Sequence, residues 1–425
     1  MRVLLIGSGG REHAMAIKIS NSSLLDKLFI LPGNPGTKQV GENVKINPSD
    51  HEKVLQFCRD EAIDLIIIGP EQPLVDGLND YLRNEEFKVF GPSKKAAEIE
   101  AHKSFAKRLM KKYNIPTSDF IEFRADEYDN AISYLKETKY PCVIKADGLA
   151  AGKGVLICKN FDEAEKGLKE IFLDKVFGSS GDKVVIEEFM EGEEASIFAI
   201  TDGNDFICLP SSQDHKRIGD NDTGKNTGGM GAYSPAPVVT FDILTQVENK
   251  IIKPTLDGMM KEGCTFSGCL YVGLMITKEG PKVVEYNCRF GDPETQVVLP
   301  LLKGDFLKLL YSSAVGKLDK NAIFYEDGCA VCVVVSSKGY PDSYEKGFEI
   351  SGLDINDKKI LVYHAGTDEV DDKIVTNGGR VLGVTAVFNE NDLRKARSKV
   401  YEAINEIHFE GIYFRKDIAV KALNR

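Results

Sequence analysis

The sequence lacks any apolar run that reaches the roughly 20 residues of a membrane-spanning helix. It also lacks a basic excess, because 54 lysines and arginines against 65 aspartates and glutamates give a formal net charge of −11. An acidic chain disfavours a sequence-independent nucleic-acid binder, which must neutralise phosphates. A small phosphorylated substrate is not excluded, since a few local cations suffice for it. The hydrolase motifs G-x-S-x-G and H-E-x-x-H are both missing from the chain.

Cysteine is present without any sign of a disulfide framework. The nine cysteines are odd in number and scattered, and several lie in apolar, strand-like segments. This pattern favours reduced thiols and a cytoplasmic protein. Cys329 and Cys332 have C-x-x-C spacing, but in a strand their thiols face opposite sides, and no second pair completes a zinc site. The apolar run at the N-terminus stops at Gly7, which is too early for a secretory signal.

The 425 residues are enough for about three domains. Buried strands at 2–6, 29–31, 64–68 and 88–90 alternate with helices, which predicts a doubly wound parallel sheet ending near residue 100. A helix over 103–113, a compact βαβ-like stretch over 119–158 and a larger α+β unit over 192–325 follow. A last unit starts near 329. Residues 211–237 are rich in Gly, Ser, Asp and Pro, which predicts a long loop that is either functional or disordered.

The first glycine-rich segment is Gly7-Ser8-Gly9-Gly10-Arg11-Glu12-His13. A glycine turn between a strand and a helix exposes backbone N–H groups at the positive helix end, which suits an anion. The dinucleotide fingerprint would need a third glycine where Glu12 stands, and a carboxylate there would repel a pyrophosphate. The segment therefore indicates either a small-anion site or a simple tight turn.

The second glycine-rich segment runs from Lys145 to Val155 and contains Gly148, Gly152 and Gly154. Its spacing is not that of a P-loop, and a strand rather than a helix follows it. A glycine loop between two strands can close over phosphates as a lid, with Lys145 and Lys153 supplying positive charge. The alternative is a mobile hairpin with solvated lysines.

Two further segments carry carboxylates near predicted strand ends. Glu187-Glu188-Phe189-Met190 follows a strand, and Glu194 lies seven residues after Glu187. A strand that leaves into an extended linker can offer backbone groups to an adenine edge, although Glu-rich turns are usually only solvated. In the second segment, 283–294, Glu285, Asn287 and Arg289 are predicted to share one strand face. Two oxygen ligands suit Mg²⁺, and an arginine beside them suits a carboxylate or phosphate.

A polar loop completes the set with Gln213-Asp214-His215-Lys216-Arg217 and Asn226–Pro237. Together these motifs resemble those of ATP-grasp ligases and, more narrowly, of the phosphoribosylamine–glycine ligase family. The resemblance covers the whole chain, including Gly69–Leu74, His364–Thr367, Thr376–Val381 and Arg415–Ile418. It implies an α/β and α+β multidomain fold. The implied parts are a doubly wound pre-ATP-grasp domain (1–102), an ATP-grasp domain (103–327) with a lid at about 119–190, and a capping domain (328–425).

The resemblance also implies a reaction: ATP, glycine and 5-phosphoribosylamine give ADP, phosphate and glycinamide ribonucleotide, with Mg²⁺ or Mn²⁺ as the metal. It implies a monomer whose partners are small molecules, with neither nucleic acid nor membrane. The residues implied for ATP are Lys103, Lys145, Gly152, Lys153, Gly154, Glu187, Phe189 and Glu194. Those implied for the metal are Glu285 and Asn287. Arg289, Lys145 and Asp214 are implied in catalysis, Arg289 at the glycine carboxylate. Those implied for phosphoribosylamine are Gly9, Gly10, Asn34, Pro70, Glu71, Asp214, Lys216, Gly229, Met230 and Gly231.

Three other functions stay open at this level. A related ligase could use another acid, such as formate. An oxidoreductase could use the N-terminal nucleotide-like fold, although Glu12 argues against it. A nucleotide sensor without turnover is the third, and the Glu285/Asn287 pair argues against that.

Overall fold

The computed structural model describes residues 1–150 and 154–424. The chain begins with a five-stranded parallel sheet in the order β3-β2-β1-β4-β5 and with helices on its faces. This is the doubly wound arrangement that the continuous apolar strands predict. The strands are β1 (Arg2–Gly7), β2 (Lys27–Pro32), β3 (Glu42–Asn43), β4 (Leu65–Ile68) and β5 (Val89–Phe90), and the helices are α1 (Gly10–Ser20), α2 (His51–Asp60), α3 (Glu71–Asp76), α4 (Leu78–Asn84) and α5 (Lys94–Ala101).

The next unit is a small four-stranded sheet in the order β6-β9-β7-β8, preceded by one helix. Its hydrogen-bonded strand pairs are all antiparallel. Consequently β6 and β7, which α7 joins, run parallel on either side of β9, and β8 and β9, which α8 joins, run parallel on either side of β7. The prediction of a βαβ-like stretch is confirmed in the split form, in which another strand lies between the two parallel ones. Helices follow β6 and β8, but β7 and β8 form a hairpin around the glycine loop. The elements are α6 (Lys103–Lys112), β6 (Phe120–Arg124), α7 (Tyr128–Glu137), β7 (Cys142–Ala146), β8 (Val155–Cys158), α8 (Phe161–Phe172) and β9 (Lys183–Glu188).

The central unit is built on an antiparallel sheet in the order β11-β10-β16-β17. A π-helical turn at Glu248–Ile252 joins its two long helices. The elements are β10 (Glu193–Thr201), β11 (Phe206–Cys208), β12 (Gln213–Asp214), β13 (Arg217–Gly219), β14 (Thr223–Asn226), β15 (Gly231–Ser234), α9 (Phe241–Val247), α10 (Lys253–Lys261), β16 (Gly268–Thr277), β17 (Gly280–Asn287), α11 (Thr295–Val298), β18 (Leu302–Gly304), α12 (Phe306–Ala314) and β19 (Ile323–Tyr325).

The C-terminal unit shares a six-stranded sheet with the 211–237 segment. Strands β12 and β15 extend the sheet through the β15–β20 pairing. The prediction of a long loop over 211–237 was therefore wrong, because the segment forms short strands that pair with one another, and β15 pairs with β20 about a hundred residues away. The remaining elements are β20 (Cys329–Ser337), β21 (Ile360–His364), β22 (Thr367–Val370), β23 (Lys373–Thr376), β24 (Arg380–Phe388), α13 (Leu393–Ile404), β25 (Ile412–Tyr413) and α14 (Val420–Leu423).

Helix starts follow from local chemistry in all the units. At six of the described helices a side-chain oxygen just before the helix accepts a hydrogen bond from a backbone N–H of the first turn, which satisfies an otherwise unpaired donor. These capping residues are Asp50, Ser93, Asn160, Thr240, Asp305 and Asp392. In the described residues no helix combines the length and the apolar character needed to cross a bilayer. All nine cysteines are free thiols, and Cys329 and Cys332 are buried in β20.

Candidate active site

A cleft of about 1510 Å³ lies where these units meet. Its walls come from α6, β7, the start of β8, the 188–194 stretch, β12, the end of β17 and parts of the C-terminal unit. Residues far apart in the sequence thus face one solvent-accessible space, which is the usual character of a ligand site.

Two lysines and one glutamate form a buried cluster beneath the β6-β9-β7-β8 sheet, which lies in the predicted lid and is called the lid sheet below. The Glu187 carboxylate lies 2.9 Å from the ammonium groups of both Lys145 and Lys107 and accepts a hydrogen bond from Ser118 at 2.8 Å. Burial opposes the charge on Glu187, but the two lysines outweigh it and lower its pKa. Burial in turn lowers the pKa of Lys107 to about 8. The Glu187 side chain therefore orients Lys145, and its carboxylate is already occupied by protein partners.

The stretch after β9 presents main chain to the cleft. Glu187 pairs with Phe120 on one side and Val143 on the other, so its backbone lies inside the lid sheet. Residues 189–192 belong to neither β9 nor β10 and line the cleft with their neighbours on both sides. An extended linker of this kind can offer N–H and C=O groups to the edge of a planar ring.

The glycine loop is anchored by the start of α6. Asp147 accepts a hydrogen bond from the backbone N–H of Ser104 at 2.6 Å, and the ammonium of Lys103 donates to the Gly148 carbonyl at 3.0 Å. Burial lowers the pKa of Lys103. Gly154 lies on the cleft wall. Gly152 and Lys153, predicted to contact ATP phosphates, lie outside the described residues.

Lys216 bridges two carboxylates at the floor of the cleft. Its ammonium lies 3.2 Å from both Glu194 and Glu285. The attraction of Lys216, together with Lys145 and Lys103, outweighs burial and lowers the pKa of Glu285 to about 2. Asn287 follows on the same strand and also lines the cleft. One ionised carboxylate and one amide oxygen fit Mg²⁺, which keeps waters and takes phosphate oxygens for its other positions.

Arg289 lies beyond the end of β17, so the prediction that it shares a strand face with Glu285 and Asn287 was wrong. Its guanidinium instead bridges two elements of the N-terminal unit, lying 3.1 Å from Glu71 and 2.8 Å from Glu100. Burial raises the pKa of Glu71, but Arg289 and Arg11 more than offset this and hold it at about 2. Arg289 is thus a fixed cation that opens onto the cleft.

Asp214 and Glu294, called here the acidic pair, are two buried carboxylates that line the same cleft as Lys216 and Arg289. Asp214 is 9% exposed, lines the cleft, and makes no side-chain hydrogen bond or contact ion pair with any described residue. Glu294 is 4% exposed and accepts a hydrogen bond from the Tyr271 hydroxyl at 3.0 Å. Burial raises the pKa of Asp214 well above its ordinary value; Lys216 opposes this, while nearby carboxylates, Glu294 first, add to it.

The first glycine turn is closed by its own glutamate. Gly9 precedes α1, and its N–H donates to Glu12 at 2.7 Å. A Cβ on Gly7, whose φ is +129°, would approach Glu12 Cγ to 2.4 Å. Glu12 thus fills the space beneath the turn and caps the helix, and Arg11 beside it reaches the cleft. Pro70 precedes α3, so Glu71 is the first residue of that helix.

Several predicted substrate residues are occupied by protein contacts. The Asn34 amide donates to the carbonyls of Ser8 at 2.8 Å and His364 at 2.9 Å. Met230 is fully buried, and Gly231 pairs with Val333 in the shared sheet. Gly229 has a φ of +111° and packs against Pro293. Neither Asn34 nor the 229–231 segment is among the residues that line the cleft in the described part of the chain.

One ion pair of the cleft was not predicted from the sequence. The Arg380 guanidinium donates to the Asp292 carbonyl at 2.7 Å and lies 3.3 Å from its carboxylate, and both residues line the cleft. Each stands in a segment that carries the family resemblance, but nothing in either segment indicates that the two meet. Only the folding of the C-terminal unit over the cleft brings them together.

The fold and this cleft define an ATP-grasp protein. The biotin carboxylase domain of the Hydrogenobacter thermophilus 2-oxoglutarate carboxylase, solved with MgADP and bicarbonate, superposes with a TM-score of 0.73 at 17% identity, over 97% of this chain and 91% of that one. At that identity the likeness concerns the fold alone.

The chain belongs to the phosphoribosylglycinamide synthetase family. Family models match its N domain at 1–100, its ATP-grasp (A) domain at 101–295 and its C domain at 330–421. The phosphoribosylamine–glycine ligase of Caldanaerobacter subterraneus subsp. tengcongensis is 50% identical over 419 residues, 99% of each chain. The Thermotoga maritima phosphoribosylamine–glycine ligase structure matches with a TM-score of 0.84 at 37% identity, over 99% of this chain and 100% of that one.

Proposed function

We propose that this protein is an ATP-dependent ligase of purine biosynthesis that joins glycine to 5-phosphoribosylamine, forming glycinamide ribonucleotide, ADP and phosphate. The observation that carries the proposal is the convergence of Lys103, Lys145, Glu285, Asn287 and Arg289 on one cleft, in a chain of this family. The arrangement supplies cations for phosphates, oxygen ligands for a metal and an arginine for a carboxylate.

ATP binds between the lid sheet and the central sheet. Lys103 and Lys145 contact the phosphates, and Gly152, Lys153 and Gly154 are assigned to the same phosphates. Main chain at Glu187 and Phe189 holds the adenine edge, because the Glu187 carboxylate already serves Lys145 and Lys107. Glu194 accepts hydrogen bonds from the ribose. Glu285 and Asn287 would hold Mg²⁺ or Mn²⁺, which would supply charge neutralisation for the phosphoryl group when bound.

The chemistry needs positioning and charge neutralisation rather than a protein nucleophile. A glycine carboxylate oxygen attacks the γ-phosphorus, the bond from that phosphorus to the ADP oxygen breaks, and glycyl phosphate forms. The amine of phosphoribosylamine then attacks the acyl carbon, and phosphate leaves as the C–N bond forms. Arg289, held by Glu71 and Glu100, binds the carboxylate and its acyl phosphate, and the closed lid excludes water that would hydrolyse the intermediate.

Phosphoribosylamine binds on the side of the N-terminal unit. Its contacts are assigned to Gly9, Gly10, Asn34, Pro70, Glu71, Asp214, Lys216, Gly229, Met230 and Gly231. Because the amide of Asn34 and the side chain of Met230 are engaged with protein, these two act by shaping the site around them. The proposal includes a cytoplasmic monomer divided into 1–102, 103–327 with a lid at about 119–190, and 328–425.

The test is phosphate release from ATP and Mg²⁺ with freshly generated phosphoribosylamine, with and without glycine. We expect release that requires both substrates, with glycinamide ribonucleotide identified by mass spectrometry. Formate replacing glycine would overturn the assignment of the acid. Release that ignores phosphoribosylamine would overturn the assignment of the amine.

A further inference from the structure

The acidic pair Asp214/Glu294 stands out in the charge pattern of the cleft. Four buried carboxylates line the cleft in the described residues: Glu100, Glu187, Asp214 and Glu294. Glu100 has Arg289 as its partner, and Glu187 has two lysines. Asp214 has no contact partner, and Glu294 has only a neutral hydroxyl. A buried carboxylate without a partner is costly, so it indicates a ligand that supplies the missing donor.

The ammonium group of Lys216 does not supply the donor that the acidic pair lacks. The Lys216 ammonium is 3.2 Å from each of Glu194 and Glu285, so it already serves two carboxylates. Asp214, Glu194, Glu285 and Glu294 together set four carboxylates around this one lysine. Lys216 therefore has no free capacity for Asp214 or Glu294, and a cationic group of a ligand would supply the donor that the acidic pair lacks.

We propose that Asp214 and Glu294 bind the ammonium group of the amino-acid substrate and so select an α-amino acid over an acid without an amino group. This inference rests on the proposed function and deepens it. Glycine is a zwitterion whose ammonium is one carbon away from its carboxylate, so the two groups need an anionic and a cationic site side by side.

The pair is placed correctly for this role. Glu294 lines the cleft together with Lys216 and Arg289, and both cations oppose the rise that burial causes in its pKa. A glycine carboxylate at Arg289 directs its ammonium toward Glu294 and Asp214. Tyr271 supports the pair, since its hydroxyl donates to Glu294 and lies 2.8 Å from Ser196 Oγ. Asp214 then contacts glycine rather than phosphoribosylamine, which refines the family-based assignment.

The remaining acids near Arg289 are poor alternatives. The Asp292 carboxylate lies near Arg380 and accepts from Gln296 Nε2 at 2.9 Å and from the backbone N–H of Arg11. Glu71 and Glu100 are each paired with Arg289 itself. An ammonium at any of these would have to displace an existing donor.

The experiment compares glycine with glycolate and acetate in steady-state turnover. The wild type should use glycine and reject both analogues. Asp214→Asn should raise the glycine KM about 10- to 100-fold, the effect of losing one charged hydrogen bond, with the ATP KM within about twofold. Glu294→Gln should act in the same direction. Asp342→Asn, an exposed carboxylate at the cleft rim, is the matched control and should leave the glycine KM unchanged.

Each other result has a definite meaning. An unchanged glycine KM in Asp214→Asn, or a rise confined to the phosphoribosylamine KM, overturns this inference and leaves the ligase function intact. If Asp214→Asn does not fold, Glu294→Gln and the wild-type comparison decide, and equal use of glycine and acetate by the wild type overturns the inference. A wild type with no glycine-dependent turnover at all instead overturns the proposed function.

Discussion

The two ends of the cleft hold their charges in different ways. At the proposed nucleotide end, Lys145, Lys107 and Glu187 come from one stretch of chain and meet on α6 and the lid sheet. At the proposed acyl end, Arg289 is held by Glu71 and Glu100 of the N-terminal unit, and Asp292 by Arg380 of the C-terminal unit. The first arrangement places charged groups within one local pocket. The second also ties the units together, so changes there should affect stability as well as activity.

The strongest test of this difference is Arg289→Met. It leaves Glu100 buried without its cation, and losing one partner of a buried pair costs about 3–5 kcal/mol. We expect the free energy of unfolding to fall by that amount in urea titrations, together with loss of turnover. Adding Glu100→Gln should recover part of the loss. The control is Lys225→Ala, which removes an exposed ion pair with Asp342 and should cost less than about 1 kcal/mol. A similarly small loss of unfolding free energy in Arg289→Met would contradict the role of Arg289 in joining the units.

The next largest effect is expected for Glu285→Ala. Removing the carboxylate of the proposed metal site should lower kcat by about 100- to 1,000-fold, as for the loss of one charge-stabilising group. Thermal unfolding should change little, because Lys216 keeps Glu194 as its partner. The measurement is phosphate release over a Mg²⁺ titration. Glu279→Ala, an exposed glutamate before the same strand, is the control. Wild-type rates in Glu285→Ala would exclude it from the metal site.

Lys145→Ala should weaken ATP binding chiefly through the phosphates. Loss of one charged phosphate contact should weaken ATP about 10- to 100-fold, while adenosine affinity stays unchanged. Lys107 remains to pair with Glu187, so the lid should keep its fold. Isothermal titration calorimetry with ATP and adenosine checks this, with exposed Lys136→Ala as control. An equal loss for adenosine would contradict a phosphate-specific role.

The smallest effect is the pH dependence of the Glu71–Arg289 pair. The pKa of Glu71 is lowered to about 2 in the folded protein, against about 4.3 when unfolded. Its stabilisation is therefore present above pH 4.3 and is lost as the pH falls toward 2, because the unfolded chain takes up the proton first. Glu71→Gln should lose about 1 kcal/mol at pH 7, since the pair is partly exposed. The gap between variant and wild type should close near pH 2 in urea unfolding. A gap that does not change with pH would contradict the ion-pair origin.

The comparison also explains which features the sequence predicted. The N-terminal sheet was confirmed, because strands such as β1 and β4 are continuous apolar runs that need no distant partner to be identified. The loop prediction for 211–237 failed because strands of two to four residues, such as β12 and β15, are too short to show alternation. The βαβ-like prediction for 119–158 was confirmed in split form, because β6 and β7 run parallel and are joined by α7. The sequence did not indicate that β9, a later strand, lies between them.

The residues of the site were predicted from the sequence, but many of their side-chain contacts were not. Glycine spacing and the resemblance pointed to Lys145, Glu285 and Arg289, and the structure brings all three to the cleft. The carboxylate of Glu187 forms ion pairs with Lys107 and Lys145, and its location at a strand end did not indicate these contacts. The Asn34 amide donates to the His364 carbonyl and so connects the N-terminal and C-terminal units. A local motif does not indicate a contact between distant parts of the chain.

The doubly wound start, the family and the residues available for phosphate, metal and carboxylate follow from hydrophobic period, local turn chemistry and motif. Which acid meets which base depends on the folded chain. Arg289 meets Glu71 and Glu100, Asp292 meets Arg380, and Asp214 meets no contact partner among the described residues. Electrostatic energies depend on separations of a few ångströms and on burial, and those are set by packing among units distant in the chain.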